Sequence, residues 1–85
     1  MAKITLYTTD VCPYCVRAKQ LLEKRELAFE EINLARDPDG RAQLVELTGM
    51  MTFPQIVIDG VPIGGYDQLA AADKSGKLAE LAAAA

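Results

Sequence analysis

The apolar and polar positions of the first quarter of the chain switch from a period of two to a helical period. Ile4 to Tyr7 alternate, so that Ile4 and Leu6 share one face of a short strand. Apolar residues then recur at spacings of three and four, which predicts an amphipathic helix from Val16 to about Glu26. The inner face of this helix comprises Cys15, Ala18, Leu21 and Leu22. The pattern predicts a strand in the centre of a sheet, followed directly by a helix.

A second strand–helix pair follows. Leu27 to Leu34 is predicted as a strand, and its apolar residues change phase near Glu30-Glu31, which indicates a bulge or register change there. Asp37-Pro38 combines an N-cap with a proline at the first helical position, and Gly49 ends the predicted helix. Its inner side comprises Leu44, Val45, Leu47 and Thr48. This order of elements predicts a right-handed βαβ unit with two parallel strands.

A hairpin is predicted next. Two apolar runs, Gln55 to Ile58 and Val61 to Ile63, flank Asp59-Gly60, a dipeptide typical of two-residue hairpin turns. Pro62 has no N–H to donate to a neighbouring strand. The last strand should therefore lie at the edge of the sheet.

The end of the chain is predicted to be helical. After Gly64-Gly65, Asp67 or a neighbour can cap a helix that continues through Asp73. Gly76 separates this helix from an alanine-rich terminal segment, Lys77 to Ala85. In total the pattern predicts one α/β domain over residues 1–85, with a four-stranded mixed sheet and three to four helices.

Charge and composition narrow the class of function. The net charge is −3 and no basic cluster is present, which argues against nucleic-acid binding. No apolar run approaches the length of a membrane span, and Thr8, Thr9 and Asp10 interrupt any signal-peptide pattern. We therefore expect a cytoplasmic monomer. In a reducing cytoplasm, two cysteines serve redox chemistry more often than structure.

The two cysteines of the chain stand in the tetrapeptide Cys12-Pro13-Tyr14-Cys15. Pro13 suits the first helical position, which places Cys12 at the N-cap and Cys15 one turn inside the helix. There the Cys12 sulfur faces the free N–H groups of Tyr14 and Cys15 at the positive end of the helix dipole. This environment favours the thiolate, the form that attacks disulfides.

Other uses of a paired-cysteine motif fit less well. A zinc site needs four ligands, whereas the chain has two cysteines and no histidine. A purely structural disulfide across so short a loop gains only about 2 kcal/mol of unfolded-state entropy. Cys15 alone could be an inert core cysteine, but Cys12 at an exposed helix start could not. The residues therefore favour a thiol–disulfide redox site.

Three segments resemble the glutaredoxin family, and the resemblance extends over nearly the whole chain. Cys12-Pro13-Tyr14-Cys15 is similar to the active-site tetrapeptide of the dithiol class, residue for residue. Thr52-Phe53-Pro54 resembles the family's Thr-Val-Pro, with Phe in place of Val. Gly64-Gly65-Tyr66-Asp67 resembles the Gly-Gly pair and acidic residue that open the third helix. The resemblance implies a thioredoxin-like fold, and a glutathione-dependent oxidoreductase that reduces glutathione mixed disulfides and protein disulfides.

The resemblance also implies roles for individual residues. Cys12 would be the nucleophile and Cys15 the resolving thiol. Pro54 would be cis and would expose the Phe53 backbone to the cysteinyl backbone of glutathione. The helix start would hold the γ-glutamyl carboxylate, and Asp67 would pair with its ammonium. The residues expected to contact glutathione are Tyr14, Arg41, Thr52, Phe53, Pro54, Gly65, Tyr66 and Asp67.

The chain departs from the family at its basic positions. Thr9 stands where a Lys is frequent, and Met50 and Met51 stand where Arg or Lys is frequent. Arg41 is then the remaining candidate for the glycyl carboxylate of glutathione, and the two methionines could form an apolar rim for protein targets. Without the Lys, we expect Cys12 to be less acidic than in Lys-bearing relatives, with a pKa near 7.

Two alternatives stay open. The lost basic groups would suit a redoxin that is reduced by thioredoxin reductase and donates electrons to ribonucleotide reductase. A non-enzymatic carrier could hold a [2Fe–2S] cluster between two Cys12 thiolates and two glutathiones. The Pro13-Tyr14 pair argues against the carrier, because cluster-binding relatives usually have other residues there. We expect no resident metal, and glutathione as the co-substrate.

Overall fold

The computed structural model describes residues 3–50 and 52–83, which form a four-stranded sheet with helices. The elements in chain order are β1 (Ile4–Thr8), α1 (Pro13–Lys24), β2 (Glu30–Asn33), α2 (Pro38–Thr48), β3 (Gln55–Ile58), β4 (Val61–Gly64), α3 (Tyr66–Ser75) and α4 (Lys77–Ala83). The strand order is β2-β1-β3-β4. β1 is parallel to β2 and antiparallel to β3, and β3 and β4 form an antiparallel hairpin. The predicted mixed sheet is confirmed.

The core lies on one face of the sheet. Leu6 on β1 is directly opposite Ile56 on β3, and both side chains are fully buried. Helices α1, α3 and α4 cover this face with Leu22, Leu69 and Leu78 respectively. Each buried side chain of this size contributes about 2 kcal/mol from removal of apolar surface from water. This packing fixes the start of α1 over the end of β1, where the cysteine motif lies.

Helix α2 begins and ends as its sequence predicts. The Asp37 carboxylate accepts a hydrogen bond from the Gly40 N–H at 2.9 Å, and Gly49 closes the helix with a φ of 72°. Leu44 is buried, whereas Leu47 is 46% exposed, so its placement on the inner side is wrong. The helix presents only a narrow apolar stripe to the rest of the protein.

The second strand is shorter than predicted. β2 covers only Glu30–Asn33, and Leu27 and Phe29 belong to the connection that precedes it. The predicted bulge at the start of β2 is wrong, because β2 pairs with β1 in continuous register. The phase change instead marks the point where the loop ends and the strand begins. A shift in strand register lies instead between Ile56 and Val57, where β3 pairs with β4.

The C-terminal third of the chain contains the β3–β4 hairpin and helix α3. Asp59 and Gly60 both have positive φ, at 51° and 81°, as a two-residue hairpin turn requires. β4 carries Pro62 at the edge of the sheet, as predicted. Helix α3 has Gly65 at its N-cap, two positions before Asp67, where the sequence placed the cap at Asp67 or a neighbour.

An ion pair connects the end of α1 to α3. The Arg25 guanidinium donates to both carboxylate oxygens of Asp73, at 2.7 and 3.0 Å. These hydrogen bonds lower the pKa of Asp73 and raise the pKa of Arg25. Within residues 3–50 and 52–83, no helix is long and apolar enough to cross a membrane.

Candidate active site

The sulfur of Cys12 lies at the start of helix α1. Cys12 has extended backbone angles and is the N-cap, with Pro13 at the first helical position, as the sequence predicts. Its Sγ accepts a hydrogen bond from the Cys15 N–H at 3.1 Å. A negative charge on this sulfur would be stabilised by that N–H and by the helix dipole. The N–H groups of Tyr14 and Cys15 were both expected to face the sulfur, and the structure shows a hydrogen bond from the Cys15 N–H.

The two cysteines differ in exposure. They form a disulfide with their Cα atoms 5.2 Å apart. Cys12 is partly exposed, whereas Cys15 is only 2% exposed, beneath the first turn of the helix. An incoming disulfide can therefore reach Cys12 directly. Cys15 is placed to attack a mixed disulfide on Cys12 from within the protein.

A groove of about 260 Å³ lies beside the cysteine motif. Its walls come from the first turn of α1, from the segment ahead of β3 and from the start of α3. The peptide bond between Phe53 and Pro54 is cis, as the resemblance implies. Seven of the eight residues expected to contact glutathione line the groove, together with Met50 and Gln68. These seven are Tyr14, Thr52, Phe53, Pro54, Gly65, Tyr66 and Asp67.

Arg41 lies outside this groove. It lines a neighbouring, largely apolar cavity, also of about 260 Å³, which shares Met50 and Phe53 with the groove. Its Nη1 donates to the backbone carbonyls of Leu34 and Ala35, both at 2.8 Å. Part of the guanidinium is therefore used to fix the loop between β2 and α2, a role that sequence reasoning missed.

The structure places two of the three residues that stand where relatives have basic groups, Met50 and Thr9. Met50 is 47% exposed and borders both cavities, which fits the apolar rim that the sequence suggests. Met51 lies outside the described residues. Thr9 is partly buried and lines a separate cavity beside the cysteines.

Two aromatic rings form one wall of the groove. The ring centroids of Tyr14 and Tyr66 are 5.9 Å apart and tilted by 38°, within the range of attractive aromatic pairs. The Arg17 guanidinium lies 5.2 Å from the centroid of the Tyr14 ring, at cation–π distance. Arg17 lies on the exposed side of α1. The structure shows that it packs on the outer face of Tyr14.

The Gly-Gly pair brings α3 close to the cis-proline segment. Gly64 has a φ of 117°, which residues other than glycine rarely adopt. A Cβ on Gly65 would lie 3.2 Å from the Pro54 carbonyl oxygen, so the two backbones are nearly in contact. The Gly65 N–H donates to Oε1 of Gln68 at 3.0 Å. The N–H groups of Tyr66 and Asp67 are the first two of the helix, where the backbone offers donors without partners inside the helix.

Two glutamines that the sequence analysis did not single out form hydrogen bonds to residues that line the groove. Gln68 is one of them, and a Gln at the third helical position is the sequence signal for this kind of cap. The other is Gln55, which is fully buried on β3. Its Nε2 donates to the carbonyl and the hydroxyl oxygens of Thr52, at 2.9 and 3.1 Å. A polar residue inside an otherwise apolar strand was the available signal for Gln55.

Comparisons with known proteins agree with this geometry. A family model described as Glutaredoxin matches residues 4–63. The chain is 44% identical over 84 residues to a protein named "Glutaredoxin" from Pseudomonas aeruginosa, covering 99% of this chain and 100% of that protein.

Solved structures are also similar. The solution structure of glutaredoxin from Brucella melitensis superposes with a TM-score of 0.86 at 44% identity, covering 96% of this chain and 89% of that one. The crystal structure of a buckwheat glutaredoxin–glutathione complex superposes with a TM-score of 0.87 at 30% identity, covering 94% of this chain and 76% of that one.

Proposed function

The chain belongs to the glutaredoxin family, and from this premise we propose that it uses glutathione to reduce mixed disulfides and protein disulfides through Cys12 and Cys15. One observation carries the proposal. A partly exposed Cys12 is held at a helix N-terminus, and Tyr14 of the same motif lines a groove that also includes the start of a second helix. The first feature supplies a thiolate, and the second supplies a binding site for a small anionic peptide.

The reaction consists of two thiol–disulfide exchanges. The Cys12 thiolate attacks the glutathionyl sulfur of a mixed disulfide, and the target thiolate leaves with the electron pair of the broken S–S bond. A glutathione thiolate then attacks the glutathionyl sulfur on Cys12. Oxidised glutathione leaves, and the Cys12 thiolate is regenerated. With a protein disulfide, Cys12 attacks first, and the Cys15 thiolate then displaces the target thiolate and forms the Cys12–Cys15 disulfide, which two glutathione molecules reduce as they become oxidised glutathione.

The groove offers a complementary group for the carboxylate and the ammonium of the γ-glutamyl residue and for the cysteinyl residue of glutathione. The N–H groups of Tyr66 and Asp67 at the start of α3 would bind the carboxylate, and the Asp67 side chain would pair with the ammonium. The Phe53 backbone would pair with the cysteinyl residue, and Tyr14 would cover it. We assign Gly65 a steric role, because it lets α3 approach Pro54.

The glycyl end of glutathione would extend toward the neighbouring cavity that Arg41 lines. We retain Arg41 as the candidate partner of the glycyl carboxylate, through the guanidinium nitrogens that the Leu34 and Ala35 carbonyls do not occupy. Met50 and Phe53, which border both cavities, would lie beneath the glycyl residue on its way to Arg41. We further propose that the protein acts as a cytoplasmic monomer on glutathionylated or disulfide-bonded proteins, with ribonucleotide reductase as one candidate.

Cysteine variants test the two roles. Turnover of a glutathione mixed disulfide is measured with glutathione and glutathione reductase, and reduction of a protein disulfide is measured separately. Cys12→Ser should abolish both activities. Cys15→Ser should retain the first and lose the second, because only the protein disulfide needs internal resolution. Loss of mixed-disulfide turnover in Cys15→Ser would contradict the assignment.

The same assay separates the two possible electron donors. The wild-type protein is supplied either with glutathione and glutathione reductase or with thioredoxin reductase and its reduced nicotinamide donor. We expect glutathione to support the faster reduction, because the groove retains the helix start and Asp67. Faster reduction by thioredoxin reductase would reject the glutathione assignment in favour of the redoxin.

A further inference from the structure

A cavity of about 430 Å³ borders both cysteines and is separate from the groove described above. Besides the two cysteines, its lining includes polar side chains from β1, α1 and β2, among them Thr8, Lys19 and Glu31. None of these three belongs to the predicted set of glutathione contacts. Lys19 and Glu31 instead place two opposite charges in a cavity that Cys12 also lines.

Lys19 and Glu31 form an ion pair within this cavity. The Lys19 Nζ lies 3.3 Å from Oε2 of Glu31, and the same oxygen accepts a hydrogen bond from the Thr8 hydroxyl at 2.9 Å. Thr8 is only 1% exposed, so its hydroxyl is a fixed donor at the end of β1. The Glu31 carboxylate is therefore anchored, and it holds the lysine.

Lys19 lines the same cavity as Cys12 and as Thr9, the position of the missing basic group. Side chains on a helix lean toward its N-terminus, and Lys19 lies in the second turn of α1, so its side chain leans toward the end of the helix that carries Cys12. Seven positions separate the two residues, which is about 10 Å along the helix axis. Among the described residues that line the cavity, Lys19 is the one cation, and Asp10 and Glu31 are the acids. Asp10 is bound by the Asn33 amide.

We propose that Lys19 stabilises the Cys12 thiolate and that Glu31 offsets part of this effect. The ion pair would then set the acidity of the nucleophile. The catalytic meaning of this inference rests on the proposed role of Cys12. The acidity itself is a property of the free protein and can be measured without glutathione.

Neutralising each member of the pair should shift the pKa of Cys12 in opposite directions. In a Cys15→Ser background, which leaves a single thiol, the thiolate is titrated by ultraviolet absorbance. Lys19→Gln should raise the pKa by about half a unit and Glu31→Gln should lower it by about as much, the size expected for a unit charge about 10 Å away in a partly hydrated cavity. Lys19→Arg should keep the wild-type value.

The chain offers a matched control for each substitution. Lys24→Gln makes the same chemical change on the same helix, at its far end. Glu30→Gln makes the same change on the adjacent residue of β2, whose side chain points to the opposite face of the sheet. Both controls should leave the pKa of Cys12 within about 0.1 unit of its starting value, since their charges lie farther from Cys12 and are screened by solvent.

A kinetic measurement checks the same inference independently. At a pH below the pKa of Cys12, alkylation by iodoacetamide should be about twofold faster in Glu31→Gln and about twofold slower in Lys19→Gln, since a lower pKa gives more thiolate but a weaker nucleophile. Equal pKa values in Lys19→Gln and Lys24→Gln would overturn the proposal, as would a raised pKa in Glu31→Gln. If the shifts appear but the wild-type protein does not turn over a glutathione mixed disulfide, the proposed function fails instead.

Discussion

Gly64→Ala should disrupt the start of α3 through a specific neighbour, Gln68. The substitution forces an alanine into a φ of 117°, which costs roughly 1–3 kcal/mol. The new Cβ would also lie 2.8 Å from Cγ and 3.0 Å from Cβ of Gln68. The 2.8 Å contact is relieved only if the Gln68 side chain rotates and carries Cγ away. Its hydrogen bond from the Gly65 N–H is then lost, at about 1 kcal/mol.

A double-mutant cycle isolates this mechanism. Gln68→Ala alone removes the hydrogen bond and should cost about 1 kcal/mol. We expect Gly64→Ala to cost about 3 kcal/mol, from both the backbone strain and the same lost bond. In the double variant the bond is lost only once and the 2.8 Å contact with Cγ of Gln68 disappears, while the 3.0 Å contact with its Cβ stays. Its cost should therefore fall short of the sum of the single costs by at least about 1 kcal/mol.

The assay is urea unfolding of the oxidised protein, followed by circular dichroism. The expected cost of Gly64→Ala is a large share of the roughly 4–13 kcal/mol of stability typical of a chain of this length, so a shift of the midpoint is readily seen. Strict additivity in the cycle would refute the role of Gln68. A Gly64→Ala cost within about 0.5 kcal/mol of zero, the range of ordinary surface substitutions, would refute the strain as well.

Three further predictions follow from individual contacts. Because Arg25 lowers the pKa of Asp73, their pair stabilises the fold fully above the unfolded-state pKa of about 3.9 and loses this effect as the pH falls through the lower folded-state value. The stability difference between wild type and Asp73→Asn in urea should therefore be constant from about pH 7 to 5 and shrink below about pH 4; growth of the difference in acid would contradict this. Gln55→Ala should destabilise by about 2–3 kcal/mol in the same urea assay, and a cost no larger than that of the exposed Gln43→Ala would refute its anchoring role. Asp67→Asn should raise the KM for a glutathione mixed disulfide about tenfold with little change in kcat, and an unchanged KM would remove Asp67 from the binding site.

The elements with local chemical signals were predicted well. Asp37-Pro38 and Gly49 mark the ends of α2 through capping and backbone angles, which depend on neighbouring residues alone. Asp59-Gly60 determines a two-residue turn for the same reason. The start of α1 at the cysteine motif also follows from local geometry, because proline is favoured at the first helical position.

The errors lie where packing between elements decides. Leu27 and Phe29 have strand-like side chains, yet both contact the core from a loop, because only Glu30–Asn33 run alongside β1. Leu47 has the right spacing for the inner face of α2, but the helix buries only Leu44 deeply. Periodicity gives the side of a helix on which a residue lies, and it cannot give the width of the surface that a neighbour covers.

The sequence by itself determined the position of the cysteine motif at a helix start, the order of the elements and the segments that meet at the groove. Each of these depends on residues that are adjacent in the chain, or on motifs whose spacing is fixed. Only the tertiary structure decided which side chains complete the site. Gln68, Gln55, Arg17 and the Lys19–Glu31 pair act on partners from three to twelve positions away, and Arg41 is turned toward the Leu34 and Ala35 carbonyls. A polar side chain has several possible partners along a chain, and folding selects one by placing the donor within about 3 Å of the acceptor.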